Sequence, residues 1–369
     1  MANDAVRVSS EVIPAASPRY EALDLFRGLN IVLMLVVNNV ALGDFTPATL
    51  GHADWAGGIT LADLVFPWFL FMVGLSFPFS LVGGGGTTRR IWTRGRNLFL
   101  WGLLLTMCIE RRPAFALGVL QLIGMSYVAA ALIYRWHHRA PDRNRMLWAS
   151  CGLLAIYFVF ARFYPFPGGP SFEEGNNVFR WVNGFLAPYR LNGLLSIIPT
   201  TPLILFGAAC AHVLRSEDAP ERQHAILLRW GLIACVVGAA LSWVLPFNKP
   251  VWTPPYILVT GGLGCLLLAA LDRWLRFRGP LLGQTWLLAI GSNALLAYVL
   301  PIVVKVGWWN VWTLPSPSGG REPMTTAVLL WLRTPLGELA GGLLYTVAYV
   351  TMWCAIVVAC TRRGWRLRA

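Results

Sequence analysis

Charged residues are scarce in this sequence, and acidic residues are the scarcest. Only 13% of the 369 residues are Asp, Glu, Lys or Arg, whereas a soluble domain carries about 25%. Asp and Glu number 17 against 30 Lys and Arg, which gives a net charge of +13. Hydrophobic residues make up 56% of the chain. This composition excludes an ordinary soluble domain and predicts an integral membrane protein.

Residues that bind metals or form disulfide frameworks are also few. The chain has five His and seven Cys, and no two Cys are spaced as Cys-x-x-Cys. Every Cys falls in an apolar stretch. We therefore interpret them as small buried hydrophobic residues, and we predict neither a disulfide framework nor a metal site.

The first twenty residues lack the apolar core of a cleaved signal peptide. Residues 1–20 are polar and contain Ser and Pro, so we expect a flexible cytoplasmic N-terminus with the first span as the anchor. We detect no internal repeat in 21–369. We expect this part to form a single transmembrane domain.

Long hydrophobic runs dominate the rest of the chain. A membrane-spanning helix needs about 20 apolar residues. The predicted spans are 22–42, 59–82, 95–110, 115–135, 146–164, 195–215, 226–246, 251–273, 283–305 and 335–361. The apolar segment 325–333 is too short to cross, and we expect it at the membrane interface. The predicted fold class is an all-α bundle of about ten transmembrane helices.

The basic residues are distributed unevenly between the two sides of this ten-span arrangement. With the N-terminus inside, 21 of the 30 Lys and Arg fall on the inner side. Inner loops rich in Arg are what the positive-inside rule requires. The pattern predicts that both termini are cytoplasmic. It also explains the basic charge without nucleic acid, which we do not expect as a partner.

Three polar residues are expected near the outer surface, around the hairpin between the first two spans. His52 lies in the hairpin, Asn38 about one turn before the end of the first span, and Asp63 about one turn into the second. The catalytic interpretation is that His52 accepts a proton from an attacking amine. Asp63 would then orient the imidazole, and Asn38 would polarise or anchor a carbonyl group. The structural alternative is that His52 caps the loop and Asp63 caps the second helix.

Basic residues cluster where the first and third spans meet the inner side. Asp24 and Arg27 are three residues apart, which suits a local ion pair. Alternatively, Arg27 and the following helix form a basic entrance for a phosphorylated ligand. The arginines of that helix are Arg89, Arg90, Arg94 and Arg96.

Further polar residues interrupt the apolar spans. They are Gln121, Ser196, Asn293 and Glu338, with Asn248 and Lys249 at an outer turn. Each one alone suits a hydrogen bond between helices. As a set, together with prolines inside several spans, they suggest a polar cavity in the outer half of the bundle.

Several sequence blocks together resemble one known family. The blocks are Leu23-Asp24-Leu25-Phe26-Arg27-Gly28 through Val37-Asn38, Gly51-His52-Ala53-Asp54-Trp55, Leu61-Ala62-Asp63-Leu64-Val65-Phe66-Pro67-Trp68-Phe69, Gly118-Val119-Leu120-Gln121, Phe247-Asn248-Lys249-Pro250-Val251-Trp252-Thr253 and Gly291-Ser292-Asn293. They resemble the heparan-α-glucosaminide N-acetyltransferases, which are transmembrane enzymes. The resemblance covers about residues 20–310.

The resemblance implies a function. Members of the family bind acetyl-CoA from the cytosolic side and acetylate a glucosamine amine near the outer face. The family's active-site His and Asn correspond to His52 and Asn38. We predict that the cofactor-binding residues are Asp24, Arg27, Arg89, Arg90, Arg94, Arg96, Gln121 and Asn293. We predict that the substrate-binding residues are Trp55, Asn248, Lys249, Trp252 and Glu338.

Two departures from the family pattern concern the acceptor. We find no counterpart of the large luminal domain of the lysosomal members, and the Pro301 region replaces a family His after the ninth-span motif. We therefore expect a smaller amino sugar or a cell-wall fragment as acceptor, in a bacterial relative located in the inner membrane. The expected partners are the lipid bilayer, acetyl-CoA, the acceptor and, as one possibility, a second copy of the chain.

Other functions remain open at this level. A transporter of an amino sugar would also have kinked helices and polar groups within the membrane. In a structural subunit, the polar residues would only hold helices together. For the enzyme, direct transfer and an acetyl-histidine intermediate both fit the residues.

Overall fold

The computed structural model describes residues 20–81, 88–136, 142–169, 171–216 and 218–367. The predicted flexible N-terminus therefore lies outside these ranges, except for residue 20.

Most of the described chain is helical. The helices are α1 Glu21–Val37, α2 Leu61–Leu75, α3 Phe77–Ser80, α4 Thr88–Glu110, α5 Val119–Trp136, α6 Arg143–Phe163, α7 Val178–Leu186, α8 Ile197–Leu214, α9 Pro220–Leu241, α10 Pro254–Phe277, α11 Gln284–Gly291, α12 Ala294–Val304 and α13 Met324–Arg362. Two short antiparallel hairpins, which were not predicted, complete the fold. They pair β1 Phe172–Glu173 with β2 Asn176–Asn177, and β3 Thr313–Pro315 with β4 Arg321–Pro323.

The apolar helices confirm an integral membrane protein of the all-α class. In the described residues, seven helical segments are long and apolar enough to cross a membrane, and the bent pair α11–α12 makes an eighth. The first and third predicted spans correspond to α1 and α4. α1 has only 17 residues, and α4 begins with an Arg-rich turn. The total of ten spans and the cytoplasmic position of the termini remain predictions.

The first predicted span ends earlier than expected. α1 ends at Val37, with Asn38 as its C-cap, rather than at 42. The side-chain amide of Asn39 donates from Nδ2 to the carbonyl of Leu35 at 2.9 Å. This bond satisfies one of the carbonyls left open at a helix end. Asn38 therefore lies at the end of the helix and not one turn inside it.

The ninth predicted span is broken into two helices. α11 and α12 meet at an angle of 78°. At the break, Asn293 donates to Thr361 Oγ1 at 3.2 Å and to the carbonyl of Trp365 at 2.8 Å. Its Oδ1 accepts from the amide of Leu367 at 3.2 Å. These bonds tie the end of α13 and the segment after it to the break between α11 and α12.

The last helix is also interrupted. α13 runs for 39 residues but is kinked at Gly337, whose φ is 81°. Pro335 precedes the kink, and proline cannot supply the amide that a continuous helix requires. The kink separates the segment 325–333, predicted to lie at the interface, from the last predicted span.

Glycines allow the central helices to pack closely. A Cβ atom at Gly74 of α2 would overlap the carbonyl of Ile204 on α8, and one at Gly28 of α1 would overlap that of Leu287 on α11. Small residues at such crossings are typical of helix packing in membranes. These contacts hold α2 against α8 and α1 against α11.

Candidate functional site

The site is built at the N-terminus of α2. Thr60 precedes this helix, and Asp63 Oδ2 accepts from the Thr60 amide at 3.3 Å and from Thr60 Oγ1 at 3.0 Å. The amide of Ala53, in the preceding hairpin, donates to the same oxygen at 3.1 Å. Asp63 therefore caps the helix, as the structural alternative predicted. The hydrogen bond from Ala53 also holds the hairpin against the helix.

The other oxygen of the same carboxylate contacts His52. The distance from Asp63 Oδ1 to His52 Nδ1 is 2.9 Å. Lys249 Nζ lies 3.2 Å from Asp63 Oδ1 and 3.0 Å from His52 Nδ1. One carboxylate thus caps the helix and also contacts His52, whereas the sequence offered a helix cap and a partner of His52 as alternatives. Lys249, predicted to bind substrate, contacts the candidate catalytic pair directly.

Burial differs sharply across this cluster. The side chain of Asp63 is 2% exposed, whereas that of His52 is 61% exposed. A buried carboxylate requires hydrogen-bonding and charged partners, and the neighbours of Asp63 supply both. Burial lowers the pKa of Lys249 below the usual value for lysine, and the attraction of Asp63 opposes part of that shift. The cluster therefore places an accessible imidazole over an ion pair whose carboxylate is buried and whose lysine is partly exposed.

A second contact supports Asp63 through its backbone. Pro67 lacks the amide that would bond to the Asp63 carbonyl in a regular helix. The hydroxyl of Tyr256, on α10, donates to that carbonyl at 2.6 Å. Trp252 packs on Phe66 with 4.9 Å between ring centroids. Our sequence analysis did not identify Thr60 or Tyr256. Pro67 was the available signal, because a proline four residues after Asp63 leaves the Asp63 carbonyl without its helical donor.

The turn before α10 is bonded to the His52 hairpin. Asn248 donates to the carbonyl of Trp55 and accepts from the amide of Val251 at 3.0 Å. Trp55 in turn donates from Nε1 to the carbonyl of Phe172 at 2.8 Å. The structure therefore brings Trp55, Asn248 and Lys249 together around His52. Trp252, also predicted to bind substrate, is 4% exposed and belongs to the core beneath them.

Two predicted site residues lie elsewhere. Asn38 is exposed at the end of α1, and its neighbour Asn39 accepts from Lys305 Nζ at 2.9 Å. Glu338 forms an ion pair with Arg333 at 3.5 Å, beside the kink in α13. No hydrogen bond or ion pair in the described part of the chain joins Asn38 or Glu338 to the His52 cluster.

A cavity of about 400 Å³ opens between α1, α2, α4, α5 and α12. Its polar end includes Arg27 and Arg94, and its walls include Phe69, Val119 and Tyr298. Arg27 also forms the predicted ion pair with Asp24 at 2.7 Å. Arg27 therefore forms the ion pair and also lines the cavity, although the sequence analysis treated the ion pair and a basic entrance as alternatives. The lining does not include His52, Asp63 or Lys249.

The other predicted cofactor residues do not line this cavity. Arg89, Arg90 and Arg96 are exposed at the start of α4. Gln121 is buried and donates to Thr106 Oγ1 at 3.3 Å and to the carbonyl of Ala116 at 3.0 Å. Asn293 is buried at the break between α11 and α12. Both amides thus form the interhelical bonds that were the structural alternative.

All seven cysteines are free thiols. Cys210 and Cys265 are buried, with 3.6 Å between their sulfur atoms. Cys151 is exposed and the other four are half-buried, so our interpretation of every cysteine as buried is wrong for five of the seven. Within the described residues, no group of three or more His, Cys, Asp and Glu is arranged to hold a metal ion.

Comparison with known proteins places these features in a family. The human heparan-alpha-glucosaminide N-acetyltransferase is 24% identical over 402 residues, covering 87% of this chain and 58% of the human protein. The mouse protein of the same name is 22% identical over 400 residues, covering 86% of this chain and 59% of the relative. The chain thus spans somewhat less than three fifths of the length of these relatives. Residues 19–244, more than half of the chain and including His52 and Asp63, match the family model described as heparan-alpha-glucosaminide N-acetyltransferase, catalytic, and the chain belongs to this family.

Proposed function

We propose that this chain is a transmembrane N-acetyltransferase that moves acetyl from cytosolic acetyl-CoA to the amine of a glucosamine-type sugar on the outer side of the membrane. Family membership supports the reaction class. The contact between exposed His52 and buried Asp63 is the observation that carries the proposal, because a general base must be both accessible and oriented. For a bacterial relative, the membrane would be the inner membrane.

His52 acts as the base through its Nε2 atom. When Nδ1–H donates to Asp63, the neutral imidazole keeps a lone pair on Nε2. This lone pair accepts the proton of the acceptor amine as its nitrogen attacks the thioester carbonyl. The new C–N bond forms, the C–S bond breaks, and the CoA thiolate leaves and takes up a proton.

The hydrogen bond that Lys249 donates determines which tautomer of His52 is present. An ammonium that donates to Asp63 Oδ1 leaves Nδ1 free to carry its own proton. An ammonium that donates to Nδ1 instead would place the proton on Nε2 and block the base. Asp63 favours the productive arrangement, because its Oδ1 lies within 3.2 Å of both groups.

An acetyl-histidine intermediate uses the same geometry. His52 Nε2 would attack the thioester first, releasing CoA, and the amine would then displace the imidazole. Acetyl-CoA alone would leave acetyl on the protein in this scheme, whereas direct transfer requires both substrates together. Mixing purified protein with labelled acetyl-CoA distinguishes the two.

The donor is proposed to enter at the cavity that holds Arg27 and Arg94. Guanidinium groups suit the phosphates of CoA, and the apolar walls suit its pantetheine arm. Phe69, at the far end of the cavity, is six residues from Asp63 along α2, roughly 9 Å for a helix. The arm would have to cross this distance to reach His52, which requires the wall around Phe69 to open.

The test is acetyl transfer in reconstituted vesicles. Labelled acetyl-CoA is supplied on one side and a panel of amino sugars on the other, with His52→Ala as the comparison. The enzyme consumes CoA thioester and forms acetylated sugar, and the variant does not. Sugar flux without thioester consumption, unchanged in His52→Ala, would instead identify an amino-sugar transporter.

A further inference from the structure

A large apolar groove runs along the membrane-facing side of the bundle, away from the His52 cluster. Its volume is about 640 Å³, and it lies between α6 and α9 with α8 and α10 as its floor. α6 and α9 are the least buried of the candidate spans, with 22% and 17% of their apolar stretches buried. The groove is therefore a recess in the surface that faces lipid.

The walls of the groove are almost entirely hydrocarbon. They include Leu147 and Trp148 of α6, Phe206 of α8 and Val237 of α9. One polar wall residue, Ser150, already donates to the carbonyl of Pro202 at 2.7 Å. A recess of this composition suits an acyl chain, since few of its groups require a polar partner.

One cation interrupts this apolar lining. Arg229 lines the groove and is exposed. It lies nine residues after the start of α9, roughly 13 Å along the helix. Throughout the described chain, no side chain or carbonyl forms a hydrogen bond or ion pair with Arg229. An arginine beside apolar, lipid-facing helices favours an anionic partner, and the described protein does not supply one.

Further basic residues lie on the same face of α9, toward the start of the helix. Arg222 lies two turns before Arg229 and, with Arg143 of α6, contacts the single carboxylate of Asp218 at 3.4 and 2.8 Å. Two guanidinium groups therefore share one carboxylate. Basic pockets between helices, at the end facing Arg-rich loops, are typical sites for anionic lipid headgroups.

We propose that this groove binds one anionic phospholipid, with its phosphate at Arg229 and one acyl chain along α6 and α9. The chain enters from the leaflet that the Arg-rich loops face. The lipid supplies both components that the groove lacks: a negative charge for the arginine and a hydrocarbon chain for the walls.

The test measures lipid retention by native mass spectrometry of the full chain in detergent. Phosphatidylglycerol and phosphatidylcholine with identical acyl chains are added in separate samples. We expect phosphatidylglycerol to be retained preferentially. Arg229→Gln should weaken its retention by about fivefold, the loss of roughly one basic contact at an anionic surface. Arg229→Lys should retain it, because the charge is preserved.

Two further variants keep the proposal falsifiable. Arg273→Gln, which removes an exposed charge of α10 outside the groove lining, should leave retention unchanged. Ala234→Phe, which fills the groove while keeping Arg229, should abolish retention. Equal retention of both lipids by the parent chain would overturn the proposal, and so would unchanged retention in Arg229→Gln. A dimer that Ala234→Phe dissociates would also overturn it, assigning the groove to a second copy of the chain.

Discussion

Lys249 Nζ lies 3.0 Å from His52 Nδ1, although 197 positions separate the two residues in the sequence. The same ammonium lies 3.2 Å from Asp63 Oδ1. Lysine and histidine can both donate to this oxygen, whereas only one proton fits between Nζ and Nδ1. The protonation of Lys249 therefore decides how His52 and Asp63 interact, and this relationship leads to the first prediction.

Lys249→Arg should change the alkaline side of the pH–activity profile. Burial lowers the pKa of Lys249, so its ammonium loses a proton at a lower pH than an exposed lysine does. We expect activity of the parent chain to fall as pH rises through that pKa, because a neutral Lys249 amine accepts the Nδ1 proton of His52 and competes with Asp63 for the imidazole. Arginine stays charged in this range, so the fall should be absent in the variant. Initial rates of acetyl transfer from pH 7 upward measure this, and identical profiles for both proteins would contradict the role of Lys249.

His52→Ala should abolish acetyl transfer while leaving CoA binding intact. The general base typically contributes about 100- to 10,000-fold to the rate, and His52 lies outside the lining of the cavity that contains Arg27. Steady-state rates give the first quantity, and thermal protection of the purified protein by CoA gives the second. Near-normal activity in this variant would exclude His52 as the base.

Asp63→Asn and Thr60→Val separate the two roles of the Asp63 carboxylate. Both variants weaken the cap of α2, a change that costs about 1 kcal/mol. Only Asp63→Asn removes the carboxylate that orients His52. We expect similar losses of thermal stability but a much larger loss of activity in Asp63→Asn. Equal activity in the two folded variants would show that Asp63 acts only as a helix cap.

Tyr256→Phe should destabilise the chain more than it impairs chemistry. The substitution removes the only described donor to the Asp63 carbonyl, which Pro67 leaves without its helical partner. A buried carbonyl without a donor costs about 1–3 kcal/mol. We expect a lower melting temperature, measured in detergent, with activity per folded molecule largely retained. An unchanged melting temperature would show that the carbonyl finds another partner.

Arg94→Gln should raise the KM for acetyl-CoA with little change in the KM for the sugar. Arg94 lines the cavity proposed to hold the donor, beside Arg27. Removing one guanidinium from a phosphate weakens binding without touching the reacting atoms. Arg278→Gln, at the exposed end of α10, is the matched control. Equal KM values for acetyl-CoA in both variants would place the CoA phosphates elsewhere.

The membrane fold could be predicted from the sequence because its causes are local. The thickness of the bilayer requires apolar runs of about 20 residues in each span. The positive-inside rule requires Arg-rich loops to alternate with loops that contain little Arg. Each of the ten predicted segments coincides with a helix or with a bent pair. The proximity of His52 and Asp63 was also predictable, since only 11 positions separate them.

The residues themselves did not reveal which polar groups would meet across helices. Asn38 and Asn39 are neighbours, yet the described cross-helix bond belongs to Asn39, because the helix end sets which amide faces Lys305. The bend at Asn293 depends on a segment more than 70 positions later in the chain. Such contacts result from how whole helices pack.

The sequence alone therefore determined that the protein lies in a membrane, the approximate positions of its helices and the proximity of His52 and Asp63. The membrane location and the helix positions follow from the favourable transfer of apolar side chains from water into lipid. The proximity of His52 and Asp63 follows from their short separation in the chain. Only the tertiary structure placed Lys249 and Tyr256 on Asp63 and separated the cavity at Arg27 from the His52 cluster. It also left Arg229 without a partner among the described residues. The reason is that helix packing sets the surroundings of each buried charge, and packing depends on residues far apart in the chain.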